Sequence, residues 1–121
     1  MEIPKDVPAT VRPIVRAAIK SVEEVAPKAM AIPYRMARPR SSSMMWKLVR
    51  YAVDGENVVG IGTFSRHSTM FFYRGRELDE DREVLQGKGK DTRFLTLRST
   101  ADASSTQARR LLRKAFKLAG G

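Results

Sequence analysis

The spacing of apolar residues changes twice along the chain, and this change limits the folds that the sequence can adopt. Apolar residues recur every three or four positions from about Thr10 to Ala26, which predicts an amphipathic helix. The same spacing returns from about Ser104 or Ser105 to Gly120 and predicts a second helix. Between these segments apolar residues alternate, and β-branched and aromatic residues dominate, so the middle of the chain is predicted to form strands.

The middle of the chain contains several strand patterns and little helix. Strands are expected at residues 29–34, 45–53, 58–65, 68–74 and 92–98. Asp54 and Gly55 predict a tight hairpin turn, and residues 77–87 a short helix. This leaves too little helix between strands for parallel crossovers. The sequence therefore predicts an α+β fold, with a mainly antiparallel sheet of about five strands and the N-terminal and C-terminal helices packed on one face.

Composition and length exclude several classes of protein. The chain has 121 residues, so residues 1–121 are expected to form one domain. It has no cysteine, which excludes disulfides, thiolate nucleophiles and cysteine-ligated metals. Its first residues lack the charged start and apolar run of a signal peptide. No apolar stretch approaches the length of roughly 18 residues that is needed to span a bilayer. We therefore expect a cytoplasmic protein that is not inserted in a membrane.

The formal net charge of +10 comes from two segments that contain no acid. The first carries Arg35, Arg38, Arg40, Lys47 and Arg50. The second lies on the C-terminal helix and carries Arg109, Arg110, Arg113, Lys114 and Lys117. A helix face of this kind attracts polyanions at low salt, so weak, nonspecific nucleic-acid binding through the C-terminal helix is one candidate function.

Strand alternation assigns side chains to the two faces of the predicted sheet. The face against the helices is expected to contain Val49, Val53, Val59, Ile61, Leu95 and Leu97. The other face is expected to contain Trp46, Arg50, Gly60, Gly62, Phe64, Met70, Phe72, Phe94 and Arg98. Glycines within strands often mark the close approach of a ligand or another backbone, so Gly60 and Gly62 predict the floor of a small-molecule pocket. The alternative is that this face is covered by the 35–43 loop, by the short acidic helix or by a second subunit.

His67 is the only histidine, and the sequence offers it no catalytic partners. A common zinc site would need further histidine or cysteine ligands, and no carboxylate lies near in sequence to orient the ring. Ser68 is adjacent, so in an extended chain its side chain points to the opposite side. We interpret His67 as a hairpin residue at the rim of the predicted pocket, and we predict neither catalytic residues nor a cofactor.

The long central segment resembles a known family. The sequences "YRMARPRSSSMMWKLVRYAVDGENVVGIGTFSRHSTMFFYRGRELDED" and "LQGKGKDTRFLTL" are similar to the YdhG-like family of small bacterial proteins, also called domain of unknown function 1801. The resemblance covers nearly the whole chain and implies two helices against an antiparallel sheet, with no established reaction. Some members are regarded as frataxin-like iron chaperones, which implies acidic iron ligands. The comparable residues here are Glu77, Asp79, Glu80, Asp81 and Glu83.

These observations predict a non-enzymatic binding or accessory module. Its ligand or partner surface is expected on the glycine-floored sheet face, with a small molecule, a protein or a second copy of the chain as the occupant. The predicted binding residues are Trp46, Arg50, Gly60, Gly62, Phe64, His67, Phe94 and Arg98. Polyanion binding by the C-terminal helix and frataxin-like iron handling are the alternatives.

Overall fold

The computed structural model describes residues 1–81 and 84–120, with residues 79–81 described by their backbone alone. The helices are α1 (Arg12–Val25), α2 (Thr100–Ala103) and α3 (Thr106–Leu118), and a 3-10 segment spans Gly75–Asp81. The strands are β1 (Met30–Pro33), β2 (Trp46–Val53), β3 (Glu56–Thr63), β4 (Ser68–Phe72) and β5 (Arg93–Leu97).

The five strands form one sheet in the order β1-β2-β3-β4-β5, and every neighbouring pair is antiparallel. The turn between β2 and β3 contains Asp54 and Gly55, both with positive φ, as expected for a tight hairpin. Helices α1 and α3 contact strand β3 from the same side of the sheet, where the buried apolar residues of the sheet and both helices form one cluster. The predicted α+β fold is confirmed.

Two of the helices begin at serine residues that cap them. Ser105 caps α3 by accepting a hydrogen bond from the Ala108 amide, and Ser99 caps α2 in the same way through the Asp102 amide. Helix α2 is not predicted from the sequence, because four residues are too few to show a helical period. The buried Ser21 hydroxyl donates to the Ala103 carbonyl at 2.8 Å and joins α1 to α2. We call the helix-covered side of the sheet the inner face and the opposite side the outer face.

The inner face confirms most of the predicted core. Buried side chains there include Val49, Val59, Ile61, Leu95 and Leu97, while Val53 is partly buried against them. Regular alternation counted from Val49 and Val59 would put their neighbours Leu48 and Val58 on the opposite side, yet both also belong to this core. Strands β2 and β3 lose regular register around each of them, and such bulges interrupt the two-residue period.

The prediction for the fourth strand was wrong by one residue. Met70 and Phe72 are fully buried in the inner-face core, where they pair with Ile61 and Val59. Phe71 pairs with Gly60 and therefore lies on the outer face. The run of apolar residues in β4 contains no alternation, so only the hairpin register decides which side chain faces the helices.

The predicted short helix over residues 77–87 is also different in the structure. A 3-10 segment spans Gly75–Asp81, whereas residues 82 and 83 lie outside the described part of the chain. Gln86 then pairs with Phe94 through two backbone hydrogen bonds beside β5. The later part of the predicted helix therefore extends the edge of the sheet.

Candidate functional site

Four aromatic side chains form a cluster on the outer face. Phe71 is at its centre, with ring centroids 6.2 Å from Tyr34, 5.7 Å from Tyr73 and 6.5 Å from Phe94. Its side chain is only 2% exposed, whereas the other three rings are half-buried. We call Tyr34, Phe71, Tyr73 and Phe94 the aromatic cluster.

Two cations from β2 lie over this cluster. The Lys47 ammonium is 5.7 Å from the centroids of both Tyr34 and Phe71, and the Arg50 guanidinium is 5.1 Å from Tyr34. These distances are those of cation–π interactions. The Arg50 Nε also donates to Asn57 Oδ1 at 3.2 Å. Among the described side chains neither cation forms a salt bridge, so their positive charge is not neutralised by a carboxylate.

The two glycines of β3 do not form an open floor, and the prediction of an empty pocket above them was wrong. A Cβ atom at Gly60 would lie 2.1 Å from the ring of Phe71. A Cβ atom at Gly62 would lie 2.7 Å from the sulfur of Met45. Each glycine therefore makes room for a side chain of the same chain, but the covering side chains belong neither to the 35–43 loop nor to the acidic segment that the sequence offered as a cover.

A pair of tyrosines extends the aromatic cluster. The hydroxyls of Tyr34 and Tyr73 are hydrogen-bonded to each other. Burial raises the pKa of Tyr73 well above its ordinary value, and the hydrogen bond with Tyr34 raises it further. The Tyr73 hydroxyl is therefore protonated at neutral pH and carries no negative charge that would oppose the nearby cations.

Trp46 and Phe64 do not belong to the outer face, contrary to the prediction. Trp46 is 6% exposed, belongs to the inner core and pairs with Thr63. Its indole N–H donates to the Met36 carbonyl at 2.9 Å. Phe64 lies just beyond the end of β3 and lines a cleft together with Trp46. The predicted aromatic group is thus divided, because only Phe94 lies beside the outer-face glycines.

His67 lies in the hairpin between β3 and β4, as interpreted from the sequence. Its ring stacks on Phe64 with centroids 4.6 Å apart and an angle of 21° between the planes. The Phe64 amide donates to the His67 carbonyl at 2.8 Å. Burial lowers the pKa of His67, and the nearby charge of Arg98 lowers it further, so the ring is neutral at pH 7. These contacts describe a packed hairpin residue.

Arg98 lies just after β5 and is exposed. Its backbone amide donates to the Asp102 carboxylate at 2.9 Å. Its side chain lines a shallow depression at the β5 edge together with Gln86 and Thr96. Of the eight predicted binding residues, the structure brings Arg50, Gly60, Gly62 and Phe94 to the outer face; Trp46, Phe64, His67 and Arg98 lie elsewhere.

The cations of α3 are not equally available to a partner. Arg109 is half-buried and donates to Glu24 at 2.6 Å, and this hydrogen bond lowers the pKa of the Glu24 carboxyl. Arg110 and Lys114 also have interactions within the protein. Arg113 and Lys117 are exposed. Part of the predicted polyanion surface is therefore occupied by internal contacts.

The acidic segment proposed for iron lies largely outside the part described. This applies to Glu83 and to the side chains of residues 79–81. Glu77 forms a bidentate pair with Arg74 at 2.6 and 2.8 Å, and this lowers the pKa of Glu77. Among the described side chains, those of residues 1–78 and 84–120, no group of three or more histidine, aspartate or glutamate side chains could hold a metal.

Four residues of the outer-face site were missed from the sequence: Tyr34, Lys47, Phe71 and Tyr73. Regular alternation counted from the core residue Val49 would put Lys47 on the inner face, but a bulge between the two residues puts it on the outer face. Phe71 was missed because the prediction for β4 was wrong by one residue, so that Met70 and Phe72 were expected on the outer face in its place. A signal was present, since Tyr34 directly precedes Arg35, the first cation of the first basic segment, and the aromatic run "FFY" directly precedes Arg74.

The chain matches no protein-family model, no curated protein and no solved structure. None of the helices in the described part has the length and apolarity needed to cross a membrane.

Proposed function

We propose that this protein is a non-enzymatic binding module whose outer face takes single-stranded nucleic acid. One observation carries the proposal: Lys47 and Arg50 lie over aromatic rings on a sheet face where no described carboxylate pairs with them. Surfaces that bind single strands combine cations for the phosphates with aromatic rings for the bases. The resemblance to the YdhG-like family and a cytoplasmic location are part of the same proposal.

The shape of the outer face favours an extended partner. Its two glycines are filled by Phe71 and Met45, so no deep hole opens above them for a compact ligand. The half-buried rings of Tyr34 and Phe94 flank the nearly buried Phe71 and keep part of their surface accessible. A flexible strand can place bases on such separated rings while its phosphates follow the cations.

Charge supports the same class of partner. The net charge of +10 attracts polyanions over a long range, and the attraction decreases as salt rises. Tyr34 and Arg50 are in cation–π contact, which holds the guanidinium near the ring without neutralising it. The Arg50 guanidinium is therefore already held in place for a phosphate that binds to this face.

The exposed cations of α3 provide a second candidate surface for polyanions. Arg113 and Lys117 are exposed there, but the same helix commits Arg109 to Glu24. Frataxin-like iron handling is the third candidate; of its acidic residues only Glu77 has a described side chain, and that side chain pairs with Arg74.

The test compares two double variants that remove equal charge. Fluorescence anisotropy would measure binding of a labelled, mixed-sequence single strand of about 12 nucleotides, a length within known site sizes. Lys47→Ala with Arg50→Ala changes the outer face, and Arg113→Ala with Lys117→Ala is the matched control. We expect the outer-face variant to weaken binding at least about tenfold and the control to weaken it less than about threefold.

Other outcomes would contradict the proposal in distinguishable ways. A larger loss in the α3 variant would move the binding surface to that helix. Equal losses would show that net charge alone attracts the strand. Absence of binding by the unmodified protein at low salt would reject both surfaces, and a dimer in sedimentation that dissociates only in the outer-face variant would assign the outer face to a second copy.

A further inference from the structure

A cleft lies on the side of β2 and β3 away from the aromatic cluster. It is a cleft of about 270 Å³ between the loop that precedes β2 and the hairpin that follows β3. Its lining consists of Pro8, Arg38, Pro39, Arg40, Ser41, Ser42, Met44, Trp46, Thr63, Phe64 and Ser65. Ligand sites are usually clefts of about 300–1,000 Å³, so this volume lies just below the usual range and limits the occupant to a small ligand.

Both walls of the cleft are held by internal hydrogen bonds. On the loop side, the Trp46 indole N–H donates to the Met36 carbonyl, and the Ser43 amide donates to Ser41 Oγ at 3.2 Å. On the hairpin side, the hydroxyls of Thr63 and Ser68 are 2.9 Å apart and hydrogen-bonded. The cleft is therefore built by folded structure on both sides.

The polar groups in the cleft favour an anion. Arg38 and Arg40 are exposed, and neither forms an ion pair with any described carboxylate. No acidic residue is among the lining residues, whereas Ser41, Ser42 and Ser65 contribute hydroxyls. Two arginines with neighbouring hydroxyls are the usual partners of a phosphate, since guanidinium groups bind its oxygens through charge-assisted hydrogen bonds.

The remaining lining is apolar and partly aromatic. Trp46 lies at the buried end and Phe64 at the hairpin side, with His67 stacked on the Phe64 ring and fixing its orientation. We propose that this cleft binds a small ligand with one phosphate and one flat ring, of the nucleoside monophosphate class. The phosphate lies between Arg38 and Arg40, and the ring lies against Phe64 and Trp46. This proposal does not depend on nucleic-acid binding at the outer face.

Trp46 is the only tryptophan, so its fluorescence reports on the cleft directly. The experiment titrates the full chain with adenosine monophosphate and repeats the titration by calorimetry. Arg38→Ala with Arg40→Ala is the test variant, and Arg113→Ala with Lys117→Ala is the charge-matched control. We expect saturable binding that changes Trp46 emission, at least about tenfold weaker in the test variant and within about twofold in the control.

Two further titrations, with adenosine and with inorganic phosphate, test the ring and the phosphate of the proposed ligand separately. Adenosine and inorganic phosphate should each bind at least about tenfold more weakly than the monophosphate, because each makes only part of the contacts. A 5′-phosphorylated oligonucleotide, tested in the Lys47→Ala with Arg50→Ala variant against the same strand without the phosphate, separates a free nucleotide from a strand end. Binding by the monophosphate alone assigns the cleft to free nucleotides, and binding that also requires the 5′-phosphate of the strand shows that the cleft accepts strand ends. Both results support a cleft that recognises a phosphate together with a flat ring.

Three results would overturn the proposal. They are no calorimetric binding of the monophosphate, equal affinity in the test and control variants, and equal affinity for inorganic phosphate and the monophosphate. Thermal unfolding of each variant shows whether it is folded. Lys47→Ala with Arg50→Ala should leave monophosphate binding unchanged, so a failure of the outer-face proposal does not affect this result.

Discussion

The inner and outer faces of the sheet bury aromatic side chains in different ways. On the inner face, Phe72 is completely buried under helices and contacts other apolar residues. On the outer face, Phe71 is 2% exposed but is covered by Tyr34, Tyr73 and Lys47 without a helical layer. The buried fraction of a side chain therefore does not by itself distinguish a structural core from a surface that can bind a partner. The distinction depends on whether the ring is covered by packed helices, as Phe72 is, or by individual side chains, as Phe71 is.

The largest expected difference between the two faces comes from removing one ring from each. Phe72→Ala should lower the free energy of unfolding by about 3–5 kcal/mol, because the helices cannot close the cavity completely. Phe71→Ala should lower it by only about 2 kcal/mol, because the side chains that cover the ring can move into the gap. Urea unfolding measures both values, and equal losses would show that the outer face is packed as firmly as the inner core.

The two glycines of β3 should differ in how much a methyl group added at each position destabilises the protein. Gly60→Ala should lower the free energy of unfolding by about 1–3 kcal/mol, because its new methyl group would overlap the Phe71 ring. Gly62→Ala should lower it less, by about 1 kcal/mol, because the flexible Met45 side chain can move away and only the Trp46 carbonyl oxygen, 3.2 Å from the new Cβ atom, stays close.

Phe71→Ala provides the control for this effect. In that background Gly60→Ala should become nearly neutral, which a double-mutant cycle in urea would detect as coupling. Additive losses at Gly60 and Phe71 would contradict the close contact between them.

Two tyrosines, one on each face, should respond to loss of the hydroxyl with opposite sign. The Tyr51 hydroxyl is buried in the inner core and has no hydrogen-bond partner among the described groups. Tyr51→Phe should therefore raise the free energy of unfolding by about 1 kcal/mol, whereas Tyr73→Phe should lower it by about 1 kcal/mol through loss of the bond to Tyr34. Thermal and urea unfolding at pH 7 measure both, and stabilisation by Tyr73→Phe would contradict the role of the tyrosine pair.

The smallest expected effect is a difference in alkaline stability. Burial raises the pKa values of Tyr51 and Tyr73 in the folded protein above the ordinary value of 10.0. Above about pH 10 the unfolded chain loses these protons first, so the stabilisation present at lower pH decreases as pH rises.

The decrease should be shallower in Tyr51→Phe and in Tyr73→Phe than in the unmodified chain, and shallowest in the double variant. Urea midpoints between pH 8 and about 11 would show this. Parallel curves for all four proteins would mean that neither hydroxyl is shifted by the fold.

The boundaries of the long helices and of most strands could be predicted because each depends on local signals. The N-terminal helix was expected at residues 10–26 and spans Arg12–Val25, and Ser105 was one of two residues expected to start the C-terminal helix. The hairpin turn at Asp54 and Gly55 depends on two adjacent residues that accept positive φ. The candidate site was predicted only in part, because the sequence placed Trp46, Arg50 and Phe94 on the outer face whereas in the structure Trp46 belongs to the inner core.

The sequence by itself determined the helices, the antiparallel strands and the location of the excess positive charge, since these depend on residues close together in the chain. Only the tertiary structure decided that Phe71 rests on Gly60, that Met70 and Phe72 face the helices, and that Trp46 lies in a cleft with Phe64. These outcomes depend on hairpin register and on bulges, which change a side chain's face without changing the local pattern of residue types.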